Sequence, residues 1–418
     1  MMDTVRDILI IYDNELHIHC LDSWWKKMNC KAEVAIAKGR DIRNRTVEAL
    51  NLLGGIERFV NKGDKVLIKP NIVDGAPFVT GEVVQLETIE ALTQEVLRAG
   101  VREVLIGETP GIAIKGKTDT WKAYENAAQR LGVEFLCLLD SSYEEVVVKD
   151  PVFFEKMKVP KPLLDCDTLI NVPALKTHCS LGVTVAVKNY YGFLLDDDKR
   201  LFHKMNRIEE AILDLCQIRK ADLIVVDGTY TTFHSGPRPI EDFVETARID
   251  LTLAGVDPIA IDTVSATILG TNPETIRYLR WGEQKGFGTK DLERIRILGT
   301  PLKEAYYGKG VDIVQFANRK MKDVKILNFG ACTGCLSLAL AIQRKVRDKN
   351  LSRKLLFVMG PEATDTKVQQ HTKGDETIIL CGHCAAPTFF NELKGKFLSG
   401  CPPLLDDVTR KIQSLSQN

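Results

Sequence analysis

The sequence lacks any long apolar run and any excess of one charge. No stretch of its 418 residues reaches the roughly 18 consecutive apolar residues that a membrane-spanning helix needs. Lysine plus arginine number 56 and aspartate plus glutamate number 56, so the formal net charge is zero. This balance gives no reason to expect nucleic acid or an anionic membrane as a partner.

The amino terminus lacks the features of an export signal. Acidic residues stand on both sides of its short apolar run, whereas a signal peptide starts with a cationic segment and has a longer apolar core. We therefore expect a cytoplasmic protein. Residues 1–30 are interpreted as an N-terminal extension, and translation could start at Met1 or at Met28.

After residue 30, strand and helix patterns alternate. Strand-like runs at 66–69, 103–106 and 169–172 alternate with segments of helical spacing at 85–99 and 207–216. Such alternation is typical of α/β proteins with a mainly parallel sheet. We predict a large, mainly parallel α/β domain.

The pattern begins again after a basic segment. Residues 318–323 are predicted to form a linker, and strands and helices alternate once more over 324–418. The predicted domains are therefore a substrate-binding α/β domain at 31–317 and a small three-layer α/β domain at 324–418.

The distribution of the 11 cysteines is uneven. An odd total without an export signal argues against a disulfide framework. Five cysteines follow residue 330, in two Cys-x-x-Cys pairs and one Gly-Cys-Pro-Pro turn. They are Cys332, Cys335, Cys381, Cys384 and Cys401.

Thiolates at such turns can bind an iron–sulfur cluster or zinc, or act as a redox dithiol. The 45 residues between Cys335 and Cys381 exceed the spacing of about 15–20 that is typical of paired zinc ligands. The spacing therefore favours an iron–sulfur cluster over the other two.

The three cysteine motifs, in this order, resemble the flavodoxin-like cluster domain of nickel–iron hydrogenase small subunits and the related cluster subunit of respiratory complex I. The resemblance covers residues 324–418 and implies one 4Fe–4S cluster. It implies Cys332, Cys335, Cys384 and Cys401 as ligands and Cys381 as a buried neighbour. A hydrogenase partner subunit is not implied.

Polar residues in the large domain stand where predicted strands end. Open α/β sheets bind ligands at the carboxyl ends of their strands, so these residues are expected to share one site. Lysine and histidine together can bind a carboxylate or phosphate and move a proton near neutral pH. The expected catalytic residues are Lys176, His178, Lys188 and His203. The expected substrate-binding residues are Lys69, Asn71, Glu108, Asn189 and Asp227.

Residues 31–310 resemble the family labelled domain-of-unknown-function 362. The matching motifs include Val66-Leu-Ile-Lys-Pro-Asn71 and Lys176-Thr-His178. That label assigns no activity, but members often pair with ferredoxin-type cluster domains. A weaker resemblance, carried by His178 and Lys188, is to nickel-pincer lactate racemases. It implies only that these two residues face a shared pocket, because that family's Gly-Gly before the lysine is missing.

Two further motifs are ambiguous. Gly111–Thr118 fits Gly-x-x-x-x-Gly-Lys-Thr, but it does not begin directly at a strand end. Its context favours a chance match or a plain anion-contacting loop over nucleotide hydrolysis. Asp262 is equally consistent with an anchor at a helix end and with a metal ligand. Gly-x-Gly-x-x-Gly does not occur, so dinucleotide binding gains no support.

The sequence as a whole predicts an iron–sulfur oxidoreductase in which a 4Fe–4S cluster passes electrons to a small anionic substrate or cofactor. An electron-transfer or cluster-delivery protein without a substrate, and a redox-neutral racemase-like enzyme, remain as alternatives. Expected partners are a small anionic molecule, a redox protein of ferredoxin or flavodoxin type and further copies of the chain. Anaerobic metabolism is expected, because an exposed cluster is sensitive to oxygen.

Overall fold

The computed structural model describes residues 32–73, 75–111, 118–233, 245–310, 312–319, 321–346, 351–385 and 397–416. The predicted N-terminal extension lies outside these residues, as does the interior of the Gly111–Thr118 loop.

Sixteen strands are present in the described residues. In chain order they are β1 (Ala32–Lys38), β2 (Lys65–Pro70), β3 (Glu103–Glu108), β4 (Glu134–Cys137), β5 (Tyr143–Val147), β6 (Lys156–Pro160), β7 (Thr168–Val172), β8 (Lys176–His178), β9 (Gly182–Thr184), β10 (Leu223–Phe233), β11 (Glu245–Gly255), β12 (Ile295–Gly299), β13 (Val324–Asn328), β14 (Lys354–Met359), β15 (Glu376–Cys381) and β16 (Phe397–Leu398).

Fourteen α-helices accompany them in the same part of the chain. They are α1 (Ile42–Leu52), α2 (Leu86–Arg98), α3 (Asp119–Leu131), α4 (Lys161–Asp165), α5 (Ala186–Asn189), α6 (Asp196–Met205), α7 (Ile208–Ile218), α8 (Pro258–Leu269), α9 (Arg277–Gln284), α10 (Leu302–Ala305), α11 (Ile313–Arg319), α12 (Thr333–Val346), α13 (Asp365–Gln369) and α14 (Leu405–Ser416).

The large sheet has eight strands in the order β12-β1-β11-β10-β7-β2-β3-β4. The strands from β10 to β4 are parallel to one another, and β11 is antiparallel to both of its neighbours. Apolar side chains alternate between its two faces, so helices cover a core on each side. The predicted mainly parallel α/β fold is therefore confirmed.

A second sheet, β13-β14-β15-β16, is parallel throughout. Helix α12 packs on one face and α13 on the other, which gives three layers. Helix α11 also belongs to this core, because Asn318 exchanges two hydrogen bonds of 2.8 Å with the backbone of Ile326. Residues 32–310 are called the large unit below, and residues 312–416 the second unit.

No helix in the described parts of the chain is both long enough and apolar enough to cross a membrane.

Candidate functional site

A cavity of about 350 Å³ opens at the carboxyl ends of the parallel strands β2 and β3. Strand β2 leads into Asn71, and β3 ends at Glu108. Seven of the nine residues assigned from the sequence to the site of the large domain line this cavity. They are Asn71, Glu108, Lys176, His178, Lys188, Asn189 and His203.

A buried ion pair forms the base of the cavity. Lys69 Nζ lies 2.6 Å from Glu108 Oε2 and 3.2 Å from Asn189 Oδ1. Burial lowers the pKa of Lys69, and the Glu108 charge opposes that effect. A Cβ atom on Gly192 would lie only 2.3 Å from Glu108 Oε1. Glycine at this position therefore allows the backbone to close over the pair.

Lys176 enters the cavity wall from the β8–β9 hairpin. Its ammonium group donates to Asn71 Oδ1 at 2.6 Å and to the Glu82 carbonyl at 2.7 Å. An ammonium group has three donors, so one remains for a ligand. Burial lowers the pKa of Lys176 to about 8.

His178 is held by the backbone at one ring nitrogen. Its Nδ1 accepts hydrogen bonds from the amides of Ser180 at 3.0 Å and Leu181 at 3.2 Å. A nitrogen that accepts cannot carry the proton, so Nε2 carries it in the neutral ring. Burial, with the nearby charges of Lys188 and Lys176, keeps the pKa of His178 well below its usual value. His178 is therefore suited to donate a hydrogen bond to an anion.

Lys188 has no carboxylate partner among the described residues. Its Nζ lies 3.9 Å from the centre of the Tyr191 ring, which provides a cation–π contact. Burial lowers the pKa of Lys188 to about 7, and the charges of Lys176 and Lys199 add to this effect. Near neutral pH the group can thus either gain or release a proton.

Asp262 fixes the helix that carries Lys188. Its carboxylate accepts from the amides of Ala186 at 2.7 Å and Val187 at 3.2 Å, at the start of α5. Tyr278 donates to the same carboxylate at 2.9 Å. Of the two interpretations of Asp262, these contacts support the anchor at a helix end.

His203 has the opposite arrangement to His178. Its Nδ1 lies 2.7 Å from the Lys199 carbonyl and 2.8 Å from the Tyr191 hydroxyl. The carbonyl can only accept, and the Tyr191 hydroxyl donates its proton to the same carbonyl at 2.7 Å, so Nδ1 carries the proton. Nε2 then keeps its lone pair. Desolvation lowers the pKa of His203, and Lys188 adds to the effect. His203 is therefore a candidate proton acceptor, and its partly exposed ring can exchange protons with water.

Two of the lining residues that the sequence analysis did not assign offer polar groups to a ligand. Lys199 lines the cavity and donates to Thr109 Oγ1 at 2.7 Å. It stands four residues before His203, so helical spacing could have placed both on one face of α6. Thr184 also lines the cavity, and its buried Oγ1 has no hydrogen-bond partner in the described structure.

Lys69 and Asp227, the remaining assigned residues, do not line the cavity. Lys69 lies beneath it in the ion pair described above. Asp227 accepts from the Gln85 amide at 2.6 Å and the Thr229 amide at 2.9 Å, and it pairs with Arg45 at 3.4 Å. Its contacts connect elements of the large sheet.

The late cysteines gather at one edge of the second sheet. Cys332 and Cys335 follow β13, and Cys384 follows β15. The neighbouring thiol of Cys335 lowers the pKa of Cys384 to about 6. Cys381 is fully buried in the core, and Cys401 is exposed.

These cysteines suit a cluster in their donor chemistry. Four thiols stand on three neighbouring loops, and the amides of Gly382 and His383 join two of these loops through Leu398 and Gly400. A Cβ atom on Gly382 would lie 3.0 Å from Cys335 Sγ, so this glycine leaves room for the sulfur. In the described residues, no three His, Cys, Asp or Glu side chains already stand as a metal-binding group.

The cavity and the cysteine edge are neighbours. A second cavity of about 120 Å³ shares His203 with the first and lies between the two units. Its walls combine Ser180 and Arg277 of the large unit with Ser337 and Leu338 of the second. Cys179, which follows His178, packs against the core of the second unit.

Two solved structures resemble this fold in part. One is the lactate racemase apoprotein of Thermoanaerobacterium thermosaccharolyticum, with 10% identity and a TM-score of 0.36 over 93% of this chain and 91% of that one. The other is a structural-genomics protein of Thermotoga maritima, with 16% identity and a TM-score of 0.26 over 51% of this chain and 55% of that one. At these TM-scores the likeness carries no functional argument.

One curated relative is the thylakoid-associated protein sll1697 of Synechocystis sp., which is 28% identical over 249 residues. The match covers 58% of this chain and 75% of the relative. The resemblance of residues 324–418 to hydrogenase small subunits stays a prediction. Residues 66–267 match the model of the family described as "Domain of unknown function (DUF362)", which confirms the predicted resemblance over that range.

Proposed function

We propose that this protein is an enzyme that binds a small anionic substrate in the 350 Å³ cavity and transfers protons to or from it, with electrons supplied from the adjacent cysteine edge. The observation that carries this proposal is the convergence of Lys176, His178, Lys188 and His203 on one cavity. A surface that only docks another protein has no need of such a group of partly desolvated side chains.

The charges around the cavity favour an anion. The Lys69–Glu108 pair is internally neutral, and the charge of Glu82 acts on Lys176. Lys188 is then the lining cation that has no carboxylate partner among the described residues. Positive groups that are already fixed and desolvated stabilise a negative oxygen more strongly than water does. The N–H at Nε2 of His178 adds a directed donor.

The two histidines support different roles in proton transfer. His203 accepts a proton at Nε2, while His178 holds its own proton and stabilises negative charge on the substrate. Two titratable groups whose surroundings set opposite roles are a common feature of acid–base sites. Lys188, with a pKa near neutrality, can return a proton to the substrate.

We propose Cys332, Cys335, Cys384 and Cys401 as the ligands of a 4Fe–4S cluster. Such a cluster supplies or accepts single electrons. The shared wall at His203 keeps the cysteine edge close to the cavity, which suits reduction of a bound carbonyl or carboxylate compound. A redox protein of ferredoxin or flavodoxin type would serve as the electron donor.

A redox-neutral proton transfer is the second candidate. It is favoured by the different roles of the side chains: His203 can remove a proton from a carbon next to a carboxylate, His178 can stabilise the negative charge that results, and Lys188 can return a proton, all without an electron donor. We also propose a cytoplasmic location. The name of the Synechocystis relative refers to thylakoids, so cell fractionation is a direct test of location.

Calorimetry with a panel of 2-hydroxy acids, 2-oxo acids, dicarboxylates and phosphate tests the anion site. At least one anion class should bind to the wild type, and Lys188→Met should weaken it about tenfold or more. Lys156→Met, which changes an exposed lysine paired with Glu145, is the matched control and should bind normally. If no anion in the panel binds, the enzyme proposal fails.

Proton transfer is then followed by NMR in D₂O with the anion that binds. We expect exchange of a substrate C–H, and a loss of about 100-fold or more in His203→Asn, whose amide can keep the hydrogen bond to the Lys199 carbonyl but offers no base at Nε2. The redox-neutral candidate would be favoured if the C–H exchanges in the absence of an electron donor and no reduced product forms when a donor is added.

A further inference from the structure

Arg277 is a buried cation at the junction of the two units. It begins α9, and its side chain is 2% exposed. Nε lies 2.6 Å from Glu209 Oε2, and Nη2 lies 3.5 Å from Glu210 Oε2. The proposed acid–base chemistry of the large cavity does not use any of these three residues.

The same guanidinium contacts two of the three cysteine-bearing loops. Nη1 donates to the Cys401 carbonyl at 3.0 Å. A Cβ atom on Gly334 would lie 2.9 Å from Arg277 Cζ, so the guanidinium also lies against the turn between Cys332 and Cys335. The Arg277 amide donates to Thr333 Oγ1 at 3.0 Å, which fixes this turn from the other side.

Glu209 belongs to the same network. Thr333 donates to Glu209 Oε1 at 2.5 Å, so the acid bonds both to Arg277 and to the cysteine turn. A buried ion pair is often no more stabilising than apolar residues of similar size. Stability alone therefore gives little reason to bury a charged pair at this place. Its position beside the thiols suggests an electrostatic role.

We propose that Arg277 is a positioning residue that holds the Cys332–Cys335 turn and the Cys401 loop against the large unit and raises the reduction potential of the cluster bound there. Glu209, by contrast, lowers the reduction potential of the cluster. A nearby positive charge stabilises the added electron of a reduced cluster, and a negative charge disfavours it. This inference rests on the proposed cluster.

The test is a potentiometric titration of the anaerobically purified holoprotein, followed by EPR. Arg277→Gln should lower the cluster potential, and Glu209→Gln should raise it. At a fixed solution potential, we expect the ratio of reduced to oxidised cluster to change about tenfold in each variant. For a one-electron couple this corresponds to a shift of about 59 mV in the reduction potential. Arg277→Lys, which keeps the charge, should restore most of the wild-type potential.

Arg45→Gln is the matched control, because Arg45 is an equally buried arginine that pairs with Asp227 in the large sheet. It should lose stability to a similar degree without moving the potential. A lower cluster potential in Arg277→Gln together with a higher one in Glu209→Gln supports the proposal. Unchanged potentials, or shifts in the same direction, overturn it.

If Arg277→Gln does not fold, the sign of the shift in Glu209→Gln decides alone: a rise supports the proposal, and no change or a fall overturns it. A wild-type protein without a cluster would overturn the proposed electron supply and this inference together. If the wild type holds a cluster but neither Arg277→Gln nor Glu209→Gln changes its reduction potential, only the inference is overturned.

Discussion

His178 and His203 face the same cavity, but their backbone partners leave opposite nitrogens to carry the proton. Two amides donate to Nδ1 of His178, whereas a carbonyl accepts from Nδ1 of His203. The sequence predicted that both residues act in one pocket. It could not assign their roles, because these depend on backbone groups that only the folded hairpin and helix bring into contact with the rings.

The lowered pKa of Lys188 has a consequence for stability. An unfolded lysine titrates near its ordinary value of 10.5, and in the fold the pKa is about 7. Between these values the unfolded chain binds more protons, so stability rises with pH across this window. The cost of burying the charged form is fully present below pH 7 and disappears toward pH 10.5.

Lys188→Met removes this cost. We predict that its free energy of unfolding exceeds that of the wild type by about 2–4 kcal/mol at pH 6, with a gap that closes toward pH 10. Urea denaturation at a series of pH values measures both curves. A variant that is less stable than the wild type at pH 6 would contradict the account. The same variant should bind anions more weakly, which is a familiar trade between stability and function.

At the scale of single elements, the sequence predicted the strands that carry the site. Strands β2 and β3 end where predicted to within two residues, so Asn71 and Glu108 meet at one edge. Asp227 was also assigned to the site because its strand was predicted to end there, but β10 continues beyond it to Phe233 and pairs with β11. A residue inside a longer strand does not stand at the edge, and local sequence does not reveal such a continuation.

Lys199 illustrates a second limit of prediction from the sequence. It follows three aspartates, so it looks like a solvated member of a charged helix. Contact with Thr109 turns it instead toward the cavity, where it is 4% exposed. Long-range contacts of this kind decide which charged residues of a surface helix become part of a site.

The short helix α5 depends on Asp262 for its position. Asp262→Ala leaves the amides of Ala186 and Val187 without their acceptor, and we expect a loss of about 2–4 kcal/mol in the free energy of unfolding. Because α5 carries Lys188, anion affinity should fall as well. Denaturation and calorimetry on the same preparation measure both effects.

Asp257→Ala provides the comparison. Asp257 accepts from the amides of Ala260 and Thr289 at the start of α8 and does not line the cavity. This variant should lose stability but keep the wild-type affinity for the anion. Equal losses of affinity in both variants would show that the effect of Asp262→Ala is merely one of general destabilisation.

At the scale of the whole molecule, two α/β units meet between the Lys/His cavity and the cysteine edge. His203 lies on the wall shared by the two cavities, and Arg277 connects the large unit to the cysteine loops. The order of the cysteine motifs predicted an iron–sulfur centre, and alternation of strands and helices predicted two α/β units. Their contact through Arg277, Glu209 and Thr333 was not predicted, because Arg277 and Glu209 belong to no motif and lie far from Thr333 in sequence.

The central claim is that the four cysteines supply electrons to the neighbouring cavity through an iron–sulfur cluster. The most direct measurement is iron and sulfide quantitation on anaerobically purified protein, with EPR of the dithionite-reduced sample. We predict about four iron and four sulfide per chain, an EPR signal from the reduced cluster, and the loss of an intact cluster in Cys401→Ser. Stoichiometric zinc in place of iron, with no cluster signal, would contradict the claim.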